Sequence, residues 1–393
     1  GDENVLESMA VSTQNRYDID HFAETANNGI LNDIWNAWYN GIYRCNDVLD
    51  HMTGAKIANY DKYRGECLFL RSWWYFNLYR VFGVVPITRT VVTPAAAKLI
   101  PRCTEEEMYT LLTEDLAEAA RLLPPTPGPE KARVANIAAY TLLAKVYLTF
   151  GKPAEAKTAL EEAMKNTSYG LESTTKKVFD VGNKMNREII FALYYNKTND
   201  NGHGYWYSAN TDVLADINNP TPTFKAIYDS EKDNRLPLIS SYTKIKDNLF
   251  AMTKWYDTYD ATYTTQVGND FPHLRYADVV LMYAEALAES GGSLGDALEW
   301  LNKTRTRAGL DELTTDEVKS LAEFRRELAA ERGREFALEG HRWFDLVRLG
   351  LAVDYFREMG YSLDSHNLIF PIPQNQIEIV NNPSILWQNP GFN

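Results

Sequence analysis

Two glutamates near the C-terminal end of the 393-residue chain lie where a helix should present its core face. Apolar residues at helical spacing extend to Leu328. The same spacing of three and four residues then places Glu331 and Glu335 on the apolar face. A pair of carboxylates could act as the acid and base of a hydrolase. However, Arg334 lies three residues after Glu331, and Arg332 lies three before Glu335, which favours neutralised ion pairs. We predict a structural ion-pair network, with a catalytic pair as the alternative.

A second set of charges follows Gly340 in the same stretch. Arg342, Asp345 and Arg348 are spaced by three residues and lie among large apolar side chains. We assign these three residues to the same structural network. Neutralisation by arginine lowers the pKa of a carboxylate, whereas the general acid of a glycosidase needs a raised pKa. The charges therefore argue against catalysis, and no catalytic residue is predicted.

Aromatic residues among loop-forming polar residues are the second feature with a chemical use. They lie in the segments NGHGYWYSAN and KWYDTYDATY, within a stretch from Leu171 to Pro272 that is rich in Asn, Asp, Gly and Thr. Sugar rings pack their C–H faces on aromatic rings, and their hydroxyls bond to short polar side chains. Trp35 is a further candidate, although its helical spacing favours burial. The other candidate ligand-binding residues are Asn201, Tyr205, Trp206, Tyr207, Trp255, Tyr256 and Tyr259.

Composition excludes several classes of function. The hydrophobic content of 45% is that of a globular protein, and the net charge of −13 argues against a nucleic acid partner. The histidines show no metal-binding grouping and the three cysteines lack the spacing of zinc ligands, so we expect no transition-metal site and no cofactor. Calcium stays open, because Asp and Asn are dense between Asn196 and Asp216 although their spacing matches no EF-hand. There is no run of eighteen apolar residues that would predict a membrane-spanning helix.

Helical periodicity predicts the elements that position these residues. Long amphipathic helices are expected over residues 31–49 and 63–81, the second ending at Gly83. Residues 140–163 match a tetratricopeptide repeat, and a weaker copy occurs at residues 281–301. The two copies are far apart in the sequence, so the helix pairs must pack together in the fold. The segments between them are then long insertions that leave this helical stack and return to it.

The C-terminal segment is predicted to be irregular. From residue 368 onwards, prolines alternate with large apolar residues, which excludes a regular helix or a central strand. We expect this tail to lie extended across the helices, with Phe370, Ile372, Leu386 and Trp387 as its anchors.

Several of these segments together resemble the SusD/RagB-like family of nutrient-binding outer-membrane lipoproteins from Bacteroidetes. The resemblance extends from about Trp35 to Phe392. The segments that carry it are the helix with Trp38 and Tyr39 leading to Arg44, Cys45 and Asn46, RGECLFLRSWWYFNLYRVFGVVPIT, TLLAKVYLTFGKPAEA, RYADVVLMYAEALAES, TRTRAGL, the stretch Glu331 to Gly350, and FPIPQNQIEI with QNPGF.

The resemblance implies a mostly α fold, in which tetratricopeptide-like helix pairs form a right-handed scaffold with long irregular loop insertions and a few short strands. We expect one assembly over residues 1–393. Residues 1–170 would form its N-terminal helical part, residues 171–272 a loop-rich excursion with the ligand site, and residues 273–393 the C-terminal helices and extended tail.

The resemblance also implies a location and a partner. It places the protein at the external face of the outer membrane, held by an N-terminal lipidated cysteine, with a TonB-dependent SusC-like transporter as its partner. Cys45 lies inside a predicted helix and cannot be that anchor, so we expect the anchor cysteine to precede Gly1.

The expected function is that of a non-catalytic surface protein that captures an oligosaccharide or polysaccharide and delivers it to the transporter. A peptide-binding or protein-scaffold member of the same fold is the alternative, and a glycosidase is a further one. No motif in the sequence identifies the sugar or its linkage.

Overall fold

The computed structural model describes residues 14–195, 208–210, 220–246, 249–257 and 268–392. Most of these residues are helical. The α-helices are α1 (Gln14–Asp20), α2 (Gly29–Met52), α3 (Tyr60–Phe82), α4 (Pro94–Ala97), α5 (Glu105–Leu122), α6 (Asn136–Thr149), α7 (Pro153–Met164), α8 (Thr175–Val178), α9 (Pro222–Lys225), α10 (Leu236–Ser240), α11 (Tyr276–Glu289), α12 (Leu294–Arg307), α13 (Leu321–Glu335), α14 (Arg342–Arg348), α15 (Ala352–Glu358) and α16 (Gln374–Val380).

The strands are short and form two small sheets. They are β1 (Ile189–Leu193), β2 (Ser208–Asn210), β3 (Tyr242–Lys246), β4 (Leu249–Met252) and β5 (Phe271–Arg275). β1 and β5 pair antiparallel, and the other sheet has the order β2-β4-β3. The prediction of a mostly α fold with a few short strands is therefore confirmed. Within the described ranges, no helix combines the length and the apolar character needed to cross a membrane.

The chain divides into two compact units that do not follow its linear order. Unit A contains the described residues of Ala10–Thr126, Ala135–Phe150 and Gly350–Asn393. Unit B contains those of Pro127–Val134 and Gly151–Leu349. Both units thus draw on the predicted N-terminal part, residues 1–170, and the expected divisions at residues 170 and 272 stay a prediction.

Unit A is built from helices whose ends carry local signals. The side chain of Asn28 accepts from the first backbone N–H groups of α2, and Thr104 with Glu107 forms the capping box that begins α5. α3 ends at Gly83, whose φ of 72° suits glycine. α3 packs against α2 and α5, and α5 packs against α6. Trp35 lies in this core, 5% exposed and 5.1 Å edge-on from the ring of Phe82.

The C-terminal tail crosses unit A and is held by side chains as well as by apolar burial. Ile372 and Leu386 are buried as expected, whereas Trp387 is 41% exposed. The amide of Asn389 donates to the carbonyls of Phe82 and Phe370. Arg102 donates to the carbonyl of Trp387 and to Asn389 Oδ1. The prediction that this tail contains no regular helix is wrong, because the proline-free residues after Pro373 form the short helix α16. Outside α16, side chains supply hydrogen bonds that the irregular backbone does not make with itself.

Unit B contains the tetratricopeptide-like helices α11 and α12, and α11 also packs on α7. Small residues such as Ala156, Ala284 and Ala297 are fully buried in these helices, which allows the backbones to approach closely. The turn between α6 and α7 contains Gly151 at φ 66°, as the repeat pattern predicts. α13 packs on both α11 and α12.

Candidate functional site

Glu331 on α13 is fully buried and surrounded by hydrogen-bond donors. Its carboxylate accepts from Arg235 at 2.7 Å, from Arg334 at 3.1 Å and from the hydroxyl of Thr304 at 2.7 Å. The pair with Arg334 is the one expected from helical spacing. Arg235, which precedes α10, could not be assigned from the sequence because it lies almost a hundred residues away.

Glu335 is neutralised by arginines from three other parts of unit B. It accepts from Arg275 at 2.6 Å and from Arg235 at 2.9 Å, and it forms a further pair with Arg307. Arg332, three residues before Glu335, was expected to be its partner, and that assignment is wrong. A spacing of three or four residues brings two side chains close enough on a helix to form an ion pair, but it does not ensure that they do. A buried arginine pairs with the carboxylate that gives the best hydrogen-bond geometry, which can lie elsewhere in the chain.

Arg332 instead joins a second group of charges on the other side of α13. It donates to Asp345 at 2.7 Å and to Asp278 at 2.8 Å. Asp345 also pairs with Arg348 at 2.9 Å, as the spacing predicts. Arg342 was expected to take part in the same set of ion pairs, and it donates to the backbone carbonyl of Ala329 at 2.8 Å.

The first group continues into the β1–β5 sheet and the turn after β4. Glu188 accepts from Arg275 at 2.8 Å and from Arg307 at 2.6 Å. Glu339 accepts from Arg275 and from the buried ammonium of Lys254, both at 2.8 Å. Arg275 and Arg307 belong to the segments RYADVV and TRTRAGL, which carry the family resemblance. Nothing in these segments indicates which carboxylates the two arginines bind.

The electrostatics of this network do not suit acid–base catalysis. Burial alone would raise the pKa of Glu335, but the attraction of the surrounding arginines lowers it to about 2. The pKa values of Glu331 and Asp345 are shifted the same way, since their arginine partners outweigh burial. A general acid must hold a proton near neutral pH, and these carboxylates do not. The network is therefore built to connect helices.

Trp255, a predicted ligand-binding residue, lies in the core instead. Its side chain is fully buried and contacts Phe179 at 5.1 Å and Phe271 at 5.9 Å between ring centroids. A ring buried in this way cannot serve as an exposed platform for a sugar. Its local sequence resembles a loop, but residues distant in the chain cover it. Trp35 is likewise enclosed in unit A, as its periodicity favoured.

Exposed aromatic side chains do occur beside Trp255. Tyr256 is 38% exposed, and Tyr194, directly after β1, is 52% exposed. The ammonium of Lys184 lies 3.9 Å from the centre of the Tyr194 ring. The sequence did not predict an exposed Tyr194, because this residue belongs to the strand-like run Glu188 to Tyr195, whose apolar residues indicate burial. The remaining candidates, Asn201, Tyr205, Trp206, Tyr207 and Tyr259, lie outside the described residues.

A small cavity opens next to these tyrosines in unit B. Its enclosed part has a volume of about 20 Å³, which is room for about one or two groups the size of a water molecule. The pairing of β1 with β5 brings its two sides together, since Leu193 lies opposite Phe271. Its lining comprises Val178, Phe179, Asp180, Val181, Lys184, Met185, Ile189, Trp255, Asn269, Asp270 and Pro272.

Metal ligands are not grouped in the part of the chain that the structure describes. No cluster of three or more His, Cys, Asp or Glu side chains there could hold an ion. Cys45 and Cys103 are buried free thiols, and burial raises the pKa of Cys45 to about 12, which makes it unreactive.

Comparisons with known proteins agree along most of the chain. A family model described as the SusD family matches residues 233–392, and one described as starch-binding associating with outer membrane matches residues 2–148. The SusD-like protein P2 of Formosa agariphila is 26% identical over an alignment covering 96% of this chain and 84% of that protein.

Solved structures share the fold. A SusD superfamily protein from Bacteroides vulgatus superposes with a TM-score of 0.83 at 24% identity, covering 100% of this chain and 91% of that one. Surface glycan-binding protein A from Bacteroides thetaiotaomicron, solved in complex with laminarihexaose, gives a TM-score of 0.78 at 22% identity, covering 96% and 90%. The two family models, the relative along nearly the whole chain and the common fold place this chain in the SusD/RagB-like family.

Proposed function

We propose that this protein is a non-catalytic glycan-binding protein of the cell surface, and that its ligand site lies at the end of the β1–β5 sheet. The observation that carries the proposal is the pair of exposed tyrosines, Tyr194 and Tyr256, beside the polar residues Asn269 and Asp270. Aromatic faces bordered by short polar side chains are the surface that sugar rings need.

The surrounding sequence supports the same location. Tyr194 lies seven residues before Asn201 in the chain, and Tyr256 belongs to the same segment as Tyr259. The family is one of carbohydrate-binding proteins, and a structural neighbour was solved with laminarihexaose. We therefore expect a neutral oligosaccharide as the ligand.

The absence of catalysis is part of the proposal. A glycosidase needs a carboxylic acid with a raised pKa facing a second carboxylate across a cleft. The conspicuous carboxylates of unit B, Glu331, Glu335 and Asp345, are buried and paired with arginines. They cannot reach a bound sugar.

Delivery to a transporter completes the proposed function. The matching description of a family associating with the outer membrane supports a place at that membrane, where we expect a TonB-dependent SusC-like barrel as the partner. We expect the full-length precursor to incorporate labelled palmitate at an N-terminal cysteine. We also expect it to co-purify with a SusC-like barrel from the same organism when the two are expressed together. A precursor without label, or a barrel that purifies alone, would refute these two parts separately.

Affinity gel electrophoresis tests the binding site. The protein is run in native gels containing laminarin, starch or no glycan, with Tyr194→Ala, Tyr256→Ala and Trp206→Ala beside the wild type. Tyr43→Ala is the matched control, because Tyr43 is 51% exposed but belongs to unit A. We expect retardation of the wild type and the control, and loss of retardation in the site variants.

The outcomes separate the alternatives. If no neutral glycan retards the wild type, the glycan function is wrong. If all variants are retarded equally, the protein binds glycans elsewhere. Release of reducing sugar from a retarding polysaccharide would establish an enzyme.

A further inference from the structure

We propose that the cavity beside Trp255 is a subsite for the hydroxymethyl group of one hexose residue. This inference rests on the proposed glycan-binding function and adds a preference for hexoses over sugars that lack the group. It is carried by the hydrogen-bonding state of two residues that line the cavity, Asn269 and Asp270.

Both residues present a buried oxygen that needs a donor. Oδ1 of Asp270 accepts from Lys184 at 2.8 Å and from the backbone N–H of Tyr195 at 3.0 Å, while Oδ2 is buried without a partner among the described residues. Asn269 is 3% exposed and donates weakly to the carbonyl of Tyr256 at 3.4 Å. Its Oδ1 is likewise buried without a donor within the described ranges. Buried acceptors of this kind are uncommon and call for a ligand or water.

Lys184 cannot meet this demand. Its ammonium has three N–H donors, and it lies within hydrogen-bond distance of three acceptors. These are the carbonyl of Tyr195 at 2.6 Å, the carbonyl of Gly268 at 2.8 Å and Oδ1 of Asp270 at 2.8 Å. Its positive charge also disfavours a cationic ligand beside it. The missing donor is therefore a neutral one, which points to a hydroxyl.

The other walls select the shape of the group. Val178, Met185 and Pro272 give the cavity an apolar side that suits C–H groups. The space is too small for a sugar ring, but a hydroxymethyl group projects from the ring on a rotatable bond. Its carbon would meet the apolar wall, and its hydroxyl would donate to Asn269 or Asp270. Water can satisfy the other oxygen.

The position of the ring follows from the neighbours of the cavity. The Tyr194 ring stacks with Lys184, and the backbone of Tyr256 contacts Asn269, so both exposed tyrosines adjoin the lining. A hexose on the Tyr194 ring, which contacts the lining residue Lys184, would direct its hydroxymethyl group into the cavity.

Calorimetry with modified ligands tests the subsite without changing the protein. The wild type is titrated with the neutral oligosaccharide that retards it in gels and with the 6-deoxy derivative of that oligosaccharide. We expect the deoxy ligand to bind at least fivefold more weakly. Equal affinity would overturn the inference and indicate that the cavity holds only water.

Two variants test the cavity from the protein side. Val181→Phe fills it, and Asn269→Leu removes one acceptor at similar volume, while Val91→Phe at an exposed valine of unit A is the control. We expect about tenfold weaker binding of the full ligand by both site variants, and no difference between full and deoxy ligand. Folding is checked by circular dichroism, and if either variant misfolds, the ligand comparison on the wild type decides.

Failure of this inference is distinguishable from failure of the proposed function. A wild type that binds no neutral glycan refutes both. A wild type that binds the full and deoxy ligands equally refutes the subsite and leaves the glycan function standing.

Discussion

Individual buried charged side chains contribute strongly to the stability of this protein. Glu335 lies in a network with Arg235, Arg275 and Arg307, and its carboxylate is almost completely removed from water. Such a network is costly to assemble, because each charge is desolvated. Once it is formed, the loss of one member leaves the others without compensation.

Replacement of Glu335 by alanine should therefore destabilise the protein strongly. We expect a loss of about 3 to 5 kcal/mol in the free energy of unfolding, because three arginines lose a common acceptor. Urea unfolding at pH 7 measures it. Asp354→Ala is the control, since Asp354 pairs with Arg357 on the exposed face of α15 and should change stability by less than about 1 kcal/mol. Equal effects of the two substitutions would contradict the network as described.

The same residue predicts an acid limit of stability. The folded-state pKa of Glu335 is about 2, below its ordinary value of 4.5, so its contribution is present above pH 4.5 and is lost as pH falls through 2. We expect the difference between wild type and Glu335→Gln to shrink steadily over this range in urea titrations. A difference independent of pH would refute this assignment.

Glu24 in unit A predicts the opposite pH dependence. It is 5% exposed, and burial raises its pKa to about 7. The charged form is thus unfavourable in the folded state, and stability is lost as pH rises from about 4.5 through 7. Glu24→Gln, which stays neutral, should be about 1 to 2 kcal/mol more stable than wild type at pH 8 and similar to it at pH 4.5. Urea unfolding midpoints of the two proteins at pH 4.5 and pH 8 measure this difference in stability. An equal difference at both pH values would contradict the raised pKa of Glu24.

At the scale of elements, the tail shows how an irregular segment is held. Asn389 connects it to α3 through the Phe82 carbonyl, and Arg102 connects it to the backbone of Trp387. Outside the short helix α16, prolines interrupt regular backbone pairing in this segment, so side chains supply part of the hydrogen bonds. The anchors Ile372 and Leu386 were recognisable as large apolar residues between prolines, but Asn389 and Arg102 were not.

Asn389→Ala should loosen the tail from unit A. We expect a loss of about 2 to 3 kcal/mol, since buried carbonyls of Phe82 and Phe370 and the Arg102 guanidinium lose a partner. Limited proteolysis followed by mass spectrometry should show faster cleavage within residues 381–392. Ser384→Ala at an exposed position is the control, and a cleavage rate unchanged by Asn389→Ala would show that apolar burial alone holds the tail.

At the scale of the whole molecule, the network and the exposed tyrosines have separate roles. The arginine-neutralised carboxylates are inside unit B, whereas Tyr194 and Tyr256 are at its surface. Substitutions in the buried ion-pair network and substitutions of the solvent-exposed tyrosines should therefore have independent effects. This separation is typical of a scaffold that presents loops for binding.

Glycan affinity should consequently survive damage to the network. Under conditions in which Glu335→Ala remains folded, we expect its dissociation constant for the retarding oligosaccharide to lie within about twofold of the wild type, since the substitution changes stability and no surface ring. Calorimetry below the unfolding temperature measures it. A folded Glu335→Ala protein that no longer binds would show that the network belongs to the ligand site.

The sequence by itself determined the features that depend on near neighbours in the chain. Helical periodicity, the Thr104–Glu107 capping box and the stop at Gly83 follow from residues within one or two turns, and the ordered motifs identified the family. Tertiary structure decided which distant groups meet. Arg235 reaches Glu331, and Phe179 covers Trp255, because burial and charge pairing are satisfied across the fold rather than along the chain. Sequence spacing constrains only local contacts, so it could predict that Glu331 and Glu335 need cations but not which arginines supply them.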